Sequence, residues 1–168
     1  VLGVVLIPEL EELWLGVVGV DAWCEDRNAN KKSFCFSNRR NLNELILVAS
    51  RNHRDKRLEH LIGKLSIGHS IAVGSVGCKI ATILRGETDF YLSLSGQTAP
   101  KDWDMAAPEA LLISVGGEFT HADERPLKYN TGDPQQKGCL IASHGSNHSL
   151  LCQMTKEEIL LIDPEFVV

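Results

Sequence analysis

The sequence predicts an α/β fold in which helices flank a sheet in layers, and three observations carry that prediction. Short apolar runs of strand type alternate with segments whose leucines and isoleucines recur at helical spacing. The junctions between them carry glycine, serine, asparagine or aspartate, residues that turn a chain or cap a helix. The 168 residues are 43% hydrophobic and 23% charged, the balance of a globular protein long enough to bury a core.

The elements follow in order. Residues 2–7 and 12–18 are β-rich and flank Pro8-Glu9-Leu10-Glu11, which predicts a hairpin. Residues 26–44 hold Asn28, Asn30, Lys31, Lys32, Ser37, Asn38, Arg39, Arg40 and Asn41, and read as a long polar loop. That loop joins two subregions, 1–44 and 45–168. Leu45 to Ala49 is a central-strand run, and Leu58, Leu61, Ile62 and Leu65 place a helix over 54–65. Ile67 to Val73 repeats the strand, and Gly74-Ser75 turns into a helix over 76–84 that Gly86 ends. Phe90 to Leu94 is the next strand, and a helix follows from Asp104 to about Val115, closed by Gly116-Gly117. Glu118 to Thr120 and Cys139 to Ser143 are short strands across a turn-rich stretch holding Pro126, Gly132, Pro134 and Gly138. His148 to Cys152 starts a last helix, and Thr155 to Glu158 has capping-box form. Ile159 to Ile162 has strand composition, so the tail carries two incompatible signals.

Composition excludes several classes of partner. A net charge of −5 with no dominant basic stripe gives no reason to expect a nucleic-acid polymer or a membrane surface. The cluster Arg51, Arg54, Lys56 and Arg57 reads first as a solvated helix end and second as a contact for a small anion. Five widely spaced cysteines without a Cys-x-x-Cys pair suggest neither a zinc site nor a disulfide framework, and a reducing, cytoplasmic location is expected. No run approaches the ~20 apolar residues of a membrane span, and no signal-peptide pattern is present. The chain opens at Val1 and runs at once into an apolar strand, so it is expected to be the C-terminal part of a longer protein. The missing neighbours would cover apolar surface on the hairpin.

In alternating α/β architectures, ligands collect where strand ends lead into helices. Three such loops stand out: Ser50-Arg51-Asn52-His53, Gly74 to Lys79, and Lys101 to Asp104. Together they would offer hydroxyls, an imidazole, an ammonium group, helix N-terminal amides and a carboxylate, a set suited to a phosphorylated ligand with a divalent cation. Each piece alone has a plainer reading: Ser50 as a helix cap, His53 as a surface histidine, Ser75 as a turn, Lys79 as an exposed lysine, Asp104 as a partner of the helix dipole. His69, His121, His144 and His148 show no metal-ligand spacing and read as structural or surface residues.

Trp103-Asp104-x-Ala106-Ala107 followed by Gly116-Gly117 resembles the C-terminal signature of the inositol monophosphatase superfamily. The likeness is collinear over essentially the whole chain. Val1 to Val5 through Glu12-Leu13-Trp14 and Ala22-Trp23 resembles the family's strand hairpin. Leu47 to His53 resembles the Ser-Arg-Ser-His loop of the 3'(2'),5'-bisphosphate nucleotidase branch, with Asn52 in place of the usual serine. Val73 to Lys79 with Gly86-Glu87 resembles that branch's glycine-rich loop and lysine, and Pro126 to Asn130 its Pro-Leu-x-Tyr stretch.

The resemblance implies a layered α/β/α C-terminal lobe with a mixed sheet, preceded by a β-hairpin belonging to an N-terminal sheet. It implies hydrolysis of a phosphate monoester by water activated between Mg2+ ions. Asp104 would be a metal ligand and a substrate contact, while Ser50, His53, Ser75 and Lys79 would face a nucleotide and the phosphate that is not cleaved. Ser75 departs from the glycine often found there. The family's other metal ligands lie on Gly-Glu-Glu and Asp-Pro-x-Asp-Gly-Thr segments, and neither occurs in these residues. No catalytic residue is therefore assigned within the chain, and by itself it is expected to be inactive. The alternatives are an inositol or sugar-phosphate phosphatase of the same superfamily, and a catalytically inactive half-domain.

Overall fold

A computed structural model describes residues 1–52, 56–95 and 98–168. Strands β1 (Leu2–Ile7), β2 (Glu12–Val17), β3 (Asp21–Glu25) and β4 (Lys31–Ser33) form an antiparallel sheet in that order. The expected hairpin is β1–β2, with Glu11 in the left-handed region at φ +54° closing its turn. The sheet continues where a loop was expected. Strand β4 is three exposed polar residues, so it lacks the alternation that marks a strand in sequence.

The two faces of this sheet differ sharply. Gly3, Ile7, Trp14, Gly16, Ala22 and Cys24 point inward and are buried. The outer face presents the cross-strand pairs Leu2–Val17, Val4–Leu15 and Leu6–Leu13, with Leu2 and Leu6 61% and 62% exposed.

The second sheet is mixed, as expected. It comprises β5 (Ile46–Ser50), β6 (His69–Val73), β7 (Phe90–Leu94), β8 (Glu118–His121) and β9 (Cys139–Ser143), in the order β6-β5-β7-β9-β8. Strand β5 runs parallel to β6 and β7, whereas β9 runs antiparallel to β7 and β8. Helices α1 (Lys56–Lys64), α2 (Val76–Leu84), α3 (Asp102–Ile113) and α4 (His148–Ile162) cover it. Alternation along the strands splits the core in two. Leu47, Phe90, Leu92 and Ile141 pack with Leu58, Leu61, Leu151 and Ile159 of α1 and α4. Val48, Tyr91, Leu140 and Ala142 pack with Ile80, Ile83, Leu111 and Leu112 of α2 and α3. Helices α2 and α3 thus form a layer between the sheets. Among the described residues no helix is long and apolar enough to cross a membrane.

Two helices depart from expectation. Helix α4 continues through Ile162, because His148, Cys152, Thr155 and Ile159 fall on one buried helical stripe. That tertiary burial overrides the strand-like composition of the last turn. Helix α3 begins two residues early, at Asp102. It ends as expected: Gly116 at φ +83° and Gly117 donate their N–H groups to the Ile113 and Leu112 carbonyls, a Schellman pair.

The layer is tight enough to have steric consequences. A Cβ on Gly3 would lie 2.5 Å from the Ala107 carbonyl oxygen, and one on Gly16 would lie 3.0 Å from the Leu111 Cα. Gly3→Ala is expected to lower stability by roughly 2 kcal/mol in a urea titration, since backbone cannot step aside. Ser75, at the mouth of α2, holds φ +49°, a value that costs a side-chain-bearing residue energy. Ser75→Gly is expected to raise stability by about 1 kcal/mol in the same titration.

Candidate functional site

The carboxyl ends of the parallel strands β5, β6 and β7 feed the three loops singled out in the sequence, and a cavity of about 260 Å³ opens there. Its walls include Ser50, Ser75, Lys79 and Asp104, so four of the five expected binding residues share one hollow. His53, the fifth, lies outside the described residues. The wall also contains Tyr91, Ser93 and Thr98, which sequence reading missed. A usable signal existed: Tyr91 and Ser93 occupy the alternate positions of β7, opposite Phe90, Leu92 and Leu94, and so share a face at a strand end.

Lys79 closes the first turn of α2 and is 3% exposed. Among the described residues its ammonium group has no ion pair and no hydrogen bond; it lies over the Tyr91 ring, 5.1 Å from the centroid. Burial disfavours the charged form and brings its pKa down to about 8. The Tyr91 phenol is pushed up to about 12, mainly by burial and further by the negative charge of Asp104. Ser75 makes no side-chain cap to α2, which leaves its hydroxyl unspent at the cavity mouth.

Asp104 stands in the first turn of α3. Its Oδ2 accepts the Lys101 backbone N–H at 2.9 Å, and its other oxygen takes no hydrogen bond from the described residues. Pro108, four residues on, has no N–H to give the Asp104 carbonyl. The neighbouring carboxylate is committed elsewhere: Asp102 accepts Gln136 Nε2 at 2.7 Å and the Asn130 N–H at 3.0 Å. Those bonds, with the Tyr129 hydroxyl donating to Glu109 at 2.5 Å, lace the 122–138 excursion onto α3. The Pro126-to-Asn130 stretch therefore supports the helix rather than the cavity.

Among the described residues Asp104 is the cavity's one carboxylate. A Mg2+ ion takes about six oxygen ligands, and among the described residues no three His, Cys, Asp or Glu side chains are grouped to hold a metal. Asp104 could give a metal one ligand, and the described residues group no second carboxylate with it at the cavity. None of the described histidines lines the cavity. His148 is buried with Nδ1 against Ser143 at 2.9 Å and Nε2 against Thr120 at 2.8 Å, so both ring nitrogens are occupied inside the protein. Burial lowers its pKa and keeps it neutral. From the described residues the cavity presents a lysine ammonium, hydroxyls and one oriented carboxylate, a set that can bind an anion.

The chain has clear relatives. The "3'-phosphoadenosine 5'-phosphate phosphatase" of Mycobacterium leprae (strain TN) is 34% identical over 92 residues, which cover 55% of this chain and 32% of that protein. "Inositol monophosphatase 3" of Xenopus laevis is 30% identical over 153 residues, covering 84% of this chain and 40% of that protein. The structure of the inositol monophosphatase from Anabaena (Nostoc) sp. PCC 7120 shares the fold, with a TM-score of 0.72 at 24% identity over 93% of this chain and 58% of that one. The chain thus spans less than two thirds of each of these relatives. The model of the Inositol monophosphatase family matches residues 1–160, and with the layered fold it assigns the chain: it belongs to the inositol monophosphatase family.

Proposed function

We propose that this chain is the substrate-binding part of a Mg2+-dependent 3'(2'),5'-bisphosphate nucleotidase that converts adenosine 3',5'-bisphosphate to AMP and phosphate. The observation that carries this reading is Lys79: a buried lysine with no counter-ion among the described residues, lining the same cavity as Asp104. A buried charge is normally paired, so an unpaired one at a cavity wall is matched by an anion that arrives with the ligand. A bisphosphate brings two phosphates, one for the metal side at Asp104 and one for Lys79. Ser50, Ser75 and His53 would orient the nucleotide. Residues 1–44 would belong structurally to an N-terminal sheet and 45–168 to the binding lobe.

Mg2+, when bound, would activate water and offset the charge that develops on the phosphoryl group. Asp104 is the ligand this chain would give it. Acidic residues from a further segment would have to complete the cage, in a cytoplasmic setting. The second reading, an inositol or sugar-phosphate phosphatase, draws on the longer match to the Xenopus protein. The two differ at Lys79, for which an inositol monophosphate has no second phosphate.

Calorimetry on the purified chain separates them. Adenosine 3',5'-bisphosphate is expected to bind at least ~10-fold more tightly than inositol 1-phosphate, and Lys79→Met to remove that preference, the size of a charged hydrogen bond. Equal affinities for the two ligands would overturn the nucleotide reading. Since Lys79 is protonated below about 8 and neutral above, affinity is expected to hold from pH 6 to 7 and to fall as pH rises past 8. The chain alone is expected to release no phosphate from adenosine 3',5'-bisphosphate with Mg2+ present; detectable turnover would show that the acidic segment is dispensable.

A further inference from the structure

Lys79 poses a physical problem that the proposed binding role leaves open. The side chain is buried and its ammonium lines the cavity, yet among the described residues no carboxylate or hydrogen-bond acceptor holds it. The group nearest in character is the Tyr91 ring on β7, with its centroid 5.1 Å from Nζ. The ring is itself fixed. Phe119 of β8 meets it edge-on at 6.0 Å and 88°, and the Tyr91 side chain is 2% exposed. Of the titratable groups around this pair, the Cys78 thiol on α2 acts on Lys79, and the Asp104 carboxylate on α3 and the Cys139 thiol on β9 act on Tyr91.

We propose that Tyr91 is a positioning residue of this cavity: its ring face holds the Lys79 ammonium in place of a carboxylate and leaves that cation free to take an anion. The chemistry favours a ring over an acid here. A carboxylate would occupy the ammonium's N–H donors, and an incoming phosphate would have to break that pair. An aromatic face attracts the cation through its quadrupole, more strongly when water is excluded, and it accepts no conventional hydrogen bond from the N–H groups. The donors turned away from the ring stay available to the ligand. The ring also fixes where the charge stands, because Phe119 and the strand hold it against the sheet. Tyr91 acts through Lys79 and is assigned no contact with substrate.

The proposal rests on the anion-binding reading of the cavity, and two measurements on the full 168-residue chain keep the two separable. The first is the titration of the Lys79 amine, followed by the NMR shift of its 13Cε. Tyr91→Phe keeps the ring face and is expected to leave the midpoint near that of the parent chain. Pentafluorophenylalanine at position 91 keeps the shape and inverts the quadrupole, and is expected to lower the midpoint by about one pH unit. Equal midpoints in the two variants overturn the proposal. The second measurement is binding of adenosine 3',5'-bisphosphate. The fluorinated variant is expected to lose about tenfold in affinity, and to lose nothing further when Lys79→Met is already present. A loss that persists without Lys79 would make Tyr91 a general packing residue and overturn its role. If the midpoint moves but the parent chain does not bind the nucleotide, the ring's role stands and the nucleotide reading falls.

Discussion

The arrangement depends on one steric constraint: two helices must lie close against one sheet, α3 in backbone contact with it, while their other side packs on a second sheet. Gly3 faces the Ala107 carbonyl and the Ala110 Cβ, Gly16 faces Leu111 and Ser114, and Gly77 faces the Val5 methyls. Paired across the strands as Gly3 and Gly16 are, the two glycines make a shallow track into which α3 settles. Small residues on α3, Ala107 and Ala110, complete the fit. Interiors packed at this density transmit a displacement instead of absorbing it. The separation between Lys79 on α2 and Asp104 on α3 is therefore set by residues that touch neither.

Charge is managed in two opposite ways in the molecule. Asp89, at the start of β7, is 1% exposed and fully supported: Arg39 Nε donates at 2.7 Å, the Ile46 N–H at 2.6 Å, and Ser37 and His144 also face it. Burial alone would raise its pKa, yet these donors outweigh burial and bring it down to about 2. A depressed folded value means that this carboxylate stabilises the fold above about pH 4, an unfolded aspartate's range, and loses that contribution as pH falls through about 2. Lys79 is buried to a similar degree and has no such support, so its shift follows desolvation. Strand β7 thus follows a satisfied structural charge at Asp89 and, at Tyr91, flanks a cation with no such support among the described residues. That contrast separates scaffold from site more sharply than burial does.

Much of this was legible in the sequence, and the exceptions have physical causes. Residues 76–84, 90–94 and 139–143 appear as expected because each shows a clean period or an unbroken apolar run. Strand β4 and the end of α4 were illegible because their state is decided by a neighbour: β3 supplies the partner of one, and packing against the rest of the core fixes the other. At the site, Ser50, Ser75, Lys79 and Asp104 were found through motif likeness, and the cavity brings them together. Tyr91 and Ser93 escaped because a strand residue that lines a cavity looks the same as one that lines a core. The departure of Ser75 from glycine also has a structural counterpart: its φ of +49° is one that glycine adopts freely and serine only at a cost.

Two features of the chain look incomplete in the same sense. The outer face of the first sheet leaves Leu2, Val4 and Leu6 to water on a strand that pairs on one side only. A flat, apolar edge of that kind is a template for association unless something covers it. Among the described residues the cavity has one carboxylate, where metal-assisted phosphoryl transfer needs several. Under the proposed function these deficits have one remedy, a further segment that buries the apolar face and brings acidic side chains to the cavity. The tight packing of α3 on β1 and β2 gives that remedy a mechanical consequence. A segment laid on the outer face of the sheet would be registered to α3 through the glycine track, so covering the sheet and aligning new carboxylates with Asp104 would be a single event.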